Sequence, residues 1–336
     1  MTVQTEPLIC TVTLNPSIDR TMYFPRLVVG ELNRATRSVT DLSGKGVNVS
    51  VALRRFGLPS VLTGFSAGVY GRVLVEGLRK QGYVCDFVEV QGETRSNVTV
   101  IDAETGVTTK LNEPGPTVDE GDIAALEARL VERFSRARDR AGDAVKQVCI
   151  FSGSLPPGAP VDTYARLIQT LSASGVITVL DTSGEALRAG CAARPAWLKP
   201  NEVEAIELTG CAPEDLSAAR LPQILQTIRQ LGPQRVLLSL GARGACYDDG
   251  KALWMAEPPR IRELSAVAAG DASLAGALWA WLSGQAARAA DPSQIVRWAV
   301  AAGTATAAYD GSGIPPHERI AAVYTQVKTR CLCRVP

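Results

Sequence analysis

Histidine is almost absent from this chain. His317 is the single imidazole in 336 residues. That removes two common designs, a histidine-based metal site and a Ser-His-Asp triad. The eight cysteines are scattered, and no C-x-x-C pair occurs. A structural zinc site or a thioredoxin-type dithiol is therefore not encoded. Most of the thiols stand in apolar, strand-like surroundings, which points to buried, reduced cysteine and a cytoplasmic setting. Cys331 and Cys333 read as part of a frayed tail, with a metal or redox pair as the alternative. Charge of one sign is lacking too: the net charge is +1, with acids and bases interspersed. Neither a basic tail nor a basic block is present, so a nucleic-acid or membrane-surface role is not expected. No apolar run approaches a membrane span, and residues 1–7 lack the basic start of a signal peptide.

What is present is an alternation of short apolar runs with helical patterns. This predicts a mostly parallel sheet covered on both faces, an α/β fold. Expected core strands are Ile9–Leu14, Val61–Phe65, Val148–Phe151, Ile177–Leu180, Trp197–Lys199 and Val236–Leu240. Expected helices include Asp119–Lys146, Ala272–Leu282, Ile295–Tyr309 and a closing helix over Ile320–Thr329. Thr21–Leu42 and Ser96–Leu111 are more polar. They read together as a small antiparallel sheet projecting as a lid, or else as two surface hairpins.

Chemistry-bearing residues cluster where predicted strands end. Ala268-Ala269-Gly270-Asp271 opens an Ala-rich helix. Its free N–H groups can hold an anion, and Asp271 can take a proton from an attacking hydroxyl; a plain helix cap is the alternative. Asn15-Pro16-Ser17-Ile18-Asp19 follows the first strand, and Asp19 on that loop could bind sugar hydroxyls. Ser43-Gly44-Lys45-Gly46-Val47-Asn48 places Lys45 in a glycine-flanked turn before a helix. It is not a Walker A loop, since Val39 and Gly46 occupy two of that motif's required positions. Thr94-Arg95-Ser96-Asn97 brings a guanidinium to the lid edge. Ser152-Gly153-Ser154 adds hydroxyls. Lys45, Arg95 and Ser154 together would cradle a substrate phosphate. Asn201 and Glu204, after Lys199, could serve water-bound magnesium or form a capping box. Ser239, Gly241 and Gly244 suit a nucleotide's phosphates or ribose.

In this order, the segments T-L-N-P-S-I-D, L-N-E-P-G-P, S-G-S-L-P-P-G, L-D-T-S-G-E-A-L, L-K-P-N-E and S-L-G-A-R-G resemble the ribokinase-like PfkB sugar kinases. The wording is most similar to the branch that phosphorylates sugar phosphates. The resemblance covers about Leu8 to Tyr309. It implies a three-layer ribokinase-like sandwich forming one kinase domain over residues 1–336, with ATP and Mg2+ as cofactors. Carried over, it makes Asp271 the general base and Ala268, Ala269 and Gly270 part of an anion hole. It gives Asp19, Gly44 and Asn48 to sugar hydroxyls, and Lys45, Arg95 and Ser154 to the substrate phosphate. Lys199, Asn201, Ser239, Gly241 and Gly244 fall to the nucleotide, and Glu204, with Asn201 and through water, to magnesium. Fructose 1-phosphate is the favoured substrate; tagatose 6-phosphate, fructose 6-phosphate, an unphosphorylated sugar or nucleoside, and a silent sensor are the other readings. A homodimer through the lid is expected, because a small isolated sheet is marginal and its edges need cover. Three departures stand out. Ser43 and Ala268 replace glycines and Ala266 replaces a threonine, so the anion hole is expected to shift slightly.

Overall fold

The structure, a computed structural model, describes residues 7–141, 145–286, 291–309 and 313–334. Ten strands form the main sheet. Its parallel part contains β1 (Leu8–Thr13), β4 (Val61–Ala67), β5 (Val84–Val90), β8 (Gln147–Ser152), β9 (Ile177–Asp181), β10 (Trp197–Leu198) and β11 (Arg235–Ser239). The antiparallel strands β12 (Ala245–Asp248), β13 (Ala252–Glu257) and β14 (Lys328–Arg334) extend one edge. The order is β14-β13-β12-β11-β10-β9-β8-β1-β4-β5.

Alternation along the strands sorts side chains into two apolar layers. Cys10, Cys149, Leu180 and Leu238 pack under α3 (Glu120–Ala141), α4 (Thr163–Ala173), α5 (Gly184–Ala192), α6 (Glu202–Thr209) and α7 (Leu221–Gln230). Their neighbours Ile9, Val148, Val179 and Leu237 pack under α1 (Lys45–Arg55), α8 (Ala269–Ala286), α9 (Pro292–Ala307) and α10 (His317–Tyr324). On that same side α2 (Gly68–Lys80) sets Leu74 and Leu78 against Leu62 and Phe87. Small residues let α8 and α9 touch: a Cβ on Gly276 would stand 2.6 Å from the Trp298 carbonyl oxygen. This is the expected three-layer α/β sandwich. A cavity of about 510 Å³, lined by Arg194, Arg229 and Arg235, opens at the amino-terminal end of the strands. Arg194 and Arg229 stand where α5 and α7 end, where the partial negative charge of a helix end favours a cation, and Arg235 opens β11.

The lid is a separate four-stranded sheet, β3-β2-β6-β7, built from β2 (Ser17–Phe24), β3 (Arg37–Ser43), β6 (Arg95–Asp102) and β7 (Thr108–Asn112). Its two outer pairs are antiparallel, as expected, while the central pair β2/β6 runs parallel. That pairing joins the two polar segments into one sheet. The Asp102 carboxylate ties their loops by accepting from the Leu27, Glu104 and Thr105 N–H groups.

Three boundaries need correction. β2 already begins at Ser17, so Asp19 is on a lid strand and not on a loop. The closing helix stops at Tyr324, and Thr329 belongs to β14, because the free edge of β13 offers backbone partners that a longer helix would forgo. Cys331 and Cys333 consequently sit in an ordered edge strand rather than a frayed tail; both are exposed free thiols. The helix expected to reach Lys146 ends its described course at Ala141; residues 142–144 lie outside the described residues.

Gly64 shows how closely β1 and β4 approach. Its φ is +132°, and a Cβ there would collide with the Thr13 carbonyl oxygen, its partner in register. Gly64→Ala combines backbone strain with that clash, and should cost roughly 2–4 kcal/mol of stability, read from chemical denaturation.

Candidate active site

The carboxyl ends of β1, β8, β9, β10 and β11 converge on the start of α8. Asp271 is the third residue of α8 and is 6% exposed. The Asn48 amide, one turn into α1, donates to Asp271 Oδ2 at 2.9 Å. Opposite stands Asp181, fully buried at the end of β9. Its Oδ1 accepts from Lys45 Nζ at 3.1 Å and lies 3.4 Å from Lys199 Nζ. Two buried carboxylates thus stand beside the buried Lys199 ammonium and the half-buried Lys45 ammonium.

Their proton affinities follow. Burial pushes the Asp271 carboxyl up to about 6, and the neighbouring Asp181 charge adds to it; Asn48, Lys45 and Lys199 hold it back. Burial acts the same way on Asp181, but Lys199 and Lys45 outweigh it and hold that carboxyl below its usual range. Lys45 feels burial in the opposite sense, yet Asp181, Asp271 and Glu204 keep its ammonium strongly protonated. Glu204 is raised, mainly by burial.

The turn Ala266-Val267-Ala268-Ala269 leads into α8, where the anion hole is expected. The Ala269 N–H donates weakly to the Ala266 carbonyl at 3.4 Å, which leaves Gly270 and Asp271 as the freer donors. A turn of this kind wants glycine at its third position. Ala268 occupies it with φ +59°. The alanine therefore adopts the left-handed backbone that glycine would take, and the cost appears as local strain, roughly 1–2 kcal/mol. Gly270 lies beside the lysine, its ideal Cβ position 3.5 Å from Lys199 Nζ, an ordinary contact distance.

Other expected residues take their places around this cluster. Gly44 caps α1 at φ +138°, and a Cβ there would press on Thr13 and Pro16. Gly153 lies over Lys45, its ideal Cβ position 3.7 Å from that residue's Cβ, and brings Ser154 to the rim, exposed. Asn201 and Glu204 form a reciprocal capping box on α6, at 2.8 and 2.9 Å. Ser239 donates to the Pro200 carbonyl, tying the end of β11 to the Lys199 loop. Gly241 follows with φ +54°, beside Glu202. Gly244 has a packing reason of its own: a Cβ there would collide with the Ala256 carbonyl oxygen of β13. Arg95 and Asp19 stand at the base of the lid. Burial holds the Arg95 guanidinium below its usual range, with the Asp19 charge acting against that.

Sequence reasoning assigned Lys45 to a substrate phosphate and gave Asp181 no role. The structure pairs the two. The signal was an aspartate at a strand end in L-D-T-S-G. Nine polar side-chain atoms are shielded from solvent without a partner among the described residues; besides Trp197 Nε1, Thr306 Oγ1 and His317 Nδ1 they are the six atoms Thr13 Oγ1, Asn15 Oδ1, Arg95 Nε, Asn97 Oδ1, Ser152 Oγ and Asp181 Oδ2. All six belong to the strand ends or the lid base around this cluster. Buried polar groups without partners are costly and mark a place where a ligand is received.

Residues 12–319 match the family model described as pfkB family carbohydrate kinase. The chain belongs to this family. It is 34% identical to the 1-phosphofructokinase of Bacillus subtilis over 81% of this chain and 84% of that one. Identity to the 1-phosphofructokinase of Rhodobacter capsulatus is 32%, over 96% and 98% of the two chains. Phosphofructokinase-2 of Escherichia coli in complex with fructose-6-phosphate superposes with a TM-score of 0.82, at 26% identity, over 95% and 99% of the two chains. Family membership and the carboxylate at the head of α8 together make the chain a kinase of carbohydrate substrates.

A general base works only when deprotonated. With the Asp271 carboxyl at about 6, kcat/KM should fall about tenfold per pH unit below that value and level off above it. The stability consequence has the opposite sense. A carboxyl raised from 3.8 in the unfolded chain to about 6 in the folded one favours folding at pH below 3.8, and that contribution is lost as pH rises through 6. Asp271→Asn should therefore be more stable than the parent at pH 7.5, on the order of 1–3 kcal/mol by denaturant titration. Equal stability at both pH extremes would mean that Asp271 titrates normally.

Proposed function

We propose that this chain transfers the γ-phosphoryl group of ATP to a hydroxyl of a ketohexose phosphate, with fructose 1-phosphate the favoured acceptor. The single observation that carries the proposal is Asp271: a buried carboxylate at a helix start, its proton affinity near neutrality, aimed by Asn48 and flanked by two lysines. Asp271 takes the proton from the attacking hydroxyl as the new oxygen–phosphorus bond forms and the bond to the ADP leaving group breaks. The Gly270 and Asp271 N–H groups meet the charge that develops on the transferred phosphoryl oxygens. Lys45 and Lys199, fixed by Asp181, hold positive charge beside them. Asp19, Gly44 and Asn48 position the sugar hydroxyls, and Arg95, with Ser154, meets the substrate phosphate. The loop Lys199–Asn201 with Ser239, Gly241 and Gly244 lines the nucleotide side.

Among the described residues no cluster of three acids, histidines or cysteines could hold a metal by itself. The donor set suits magnesium nevertheless, a cation that keeps several waters and takes phosphate oxygens as ligands. The unpartnered Asp181 Oδ2 and the Glu204 carboxylate are the groups that would hold it. Bound there, the cation would neutralise phosphate charge.

A silent sensor on the same fold would gain nothing from a carboxylate held at the cost of folding stability. An unphosphorylated acceptor would leave Arg95 without purpose. The free thiols fit a reducing compartment, the cytoplasm; no helix among the described residues is long and apolar enough to cross a membrane. We read the main sheet and lid as one catalytic unit that pairs with a second copy through the lid. Val29, Leu32, Val107 and Leu111 on the lid are 94%, 77%, 59% and 57% exposed, which gives such a contact its apolar material. Phe24, by contrast, is already covered within the chain.

An ATP-coupled assay over fructose 1-phosphate, tagatose 6-phosphate, fructose 6-phosphate, fructose and ribose tests the substrate class. Asp271→Asn should lower kcat by about 10²–10⁴ and leave ATP binding nearly unchanged; a variant keeping most of its kcat would reduce Asp271 to a helix cap. Arg95→Ala should raise KM for the sugar phosphate roughly ten- to hundredfold, with little effect on ATP. Light scattering at micromolar concentration should give a dimer; a fully active monomer contradicts the lid contact.

A further inference from the structure

The base of the lid carries a square of polar side chains that the proposed chemistry uses only in part. β2 and β6 run parallel, with Ser17 opposite Arg95 and Asp19 opposite Asn97. Ile18, between the first two, packs with Val47, Leu62 and Leu74, and its partner Leu42 joins the same apolar cluster. Alternation then places Ser17, Asp19, Arg95 and Asn97 together on the opposite face. The Ser17 hydroxyl donates to Asp19 Oδ1 at 2.7 Å, and Asn97 Nδ2 donates to the same oxygen at 2.9 Å. An ionised carboxylate only accepts, so the Asn97 amide must turn its nitrogen toward Asp19. Its oxygen is left over. Asn97 Oδ1 and Arg95 Nε are both shielded from solvent and both unpartnered. One acceptor and one charged donor therefore stand two residues apart on one strand face.

Resting on the reading that Arg95 meets the substrate phosphate, we propose that Asn97 Oδ1 accepts a hydrogen bond from the hydroxyl on the carbon next to the phosphate-bearing carbon, and so selects a ketohexose 1-phosphate over a 6-phosphate. The chemistry of the two sugars makes this atom decisive. In the furanose form of fructose 1-phosphate, the phosphate-bearing C1 is bonded to C2, which carries a free hydroxyl. In fructose 6-phosphate, the phosphate-bearing C6 is bonded to C5, whose oxygen is closed into the ring. The two molecules otherwise present nearly the same outline when turned end for end. An acceptor beside the phosphate is satisfied by the first and stranded by the second, and a stranded buried acceptor penalises the wrong substrate. Both atoms are shielded from solvent, so the groups around them have to part for substrate to enter. Their closure then excludes water from the contact.

The test compares fructose 1-phosphate with 2,5-anhydromannitol 1-phosphate, which keeps the ring and phosphate but has hydrogen in place of the C2 hydroxyl. The unmodified enzyme should favour fructose 1-phosphate by about tenfold or more in kcat/KM. Asn97→Ala should lose that preference: kcat/KM for fructose 1-phosphate falls by a similar factor, mainly through KM, and the value for the anhydro sugar changes little. Equal losses on both substrates would make Asn97 only a support for Asp19 and overturn the assignment. So would an unmodified enzyme that does not distinguish the two sugars, a comparison that needs no variant to fold. Preference for fructose 6-phosphate over fructose 1-phosphate would overturn the favoured substrate along with this assignment; preference for fructose 1-phosphate without discrimination against the anhydro sugar would overturn the assignment alone.

Discussion

Everything at the head of this sheet depends on the Asp181 carboxylate. It is fully buried, and it holds two ammonium groups that arrive from different layers, Lys45 from α1 and Lys199 from the end of β10. A buried ion pair seldom adds net stability, because removing charges from water costs about as much as their attraction returns. Its value here is positional. Lys45 and Lys199 are fixed on either side of Asp271, whose own carboxylate would otherwise be intolerable in a dry site. The arrangement leaves Asp271 ionised at neutral pH and still close enough to its titration point to exchange a proton. Removing Asp181 would release both lysines and leave the buried Lys199 ammonium without its carboxylate, while Lys45 keeps access to water.

The anion hole shows a second constraint. Ala268 holds a backbone conformation that glycine would hold without strain. A Cβ on Gly303 of α9 would lie 3.2 Å from the Ala269 carbonyl oxygen, so α9 presses directly on the first turn of α8. The N–H groups of Gly270 and Asp271 follow directly on this closely packed turn. Sequence reasoning expected Ala268 to displace the hole. The alanine takes the left-handed conformation that glycine would take.

The legible parts of the fold were those encoded by local periodicity. The central strands ending at Thr13, Ser152, Asp181 and Ser239 could be read from short apolar runs, and α8 and α9 from alanine-rich helical spacing. The antiparallel edge of β12, β13 and β14 was not legible, since those strands are held by pairing with distant segments and carry mixed side chains. The parallel pairing of β2 with β6 is of the same kind: nothing local says that Asp19 will lie opposite Asn97. The site followed the same division. Asp271, Lys45 and Asn48 announced themselves by glycine-rich or helix-start contexts, and Arg95 by its place at the edge of the lid strand. Asp181 did not, because a single aspartate at the end of an apolar strand acquires meaning only when two lysines from elsewhere in the chain close on it.

The lid is tied to this charge cluster by very short connections. β1 ends at Thr13 and β2 begins at Ser17, while β3 ends at Ser43, one residue before the Gly44 cap of α1 and two before Lys45. Gly44 cannot move independently, since a Cβ there would already stand 3.2 Å from the Pro16 Cα. The base of the lid and the segment carrying Lys45 are thus close neighbours along the chain. Asn15 reinforces the link by donating to the Pro114 carbonyl in the segment that leaves β7. The far strands of the lid are thus fastened to the loop that follows β1. The unpartnered atoms at the lid base and the lysine paired with Asp181 therefore stand on closely connected segments of the chain.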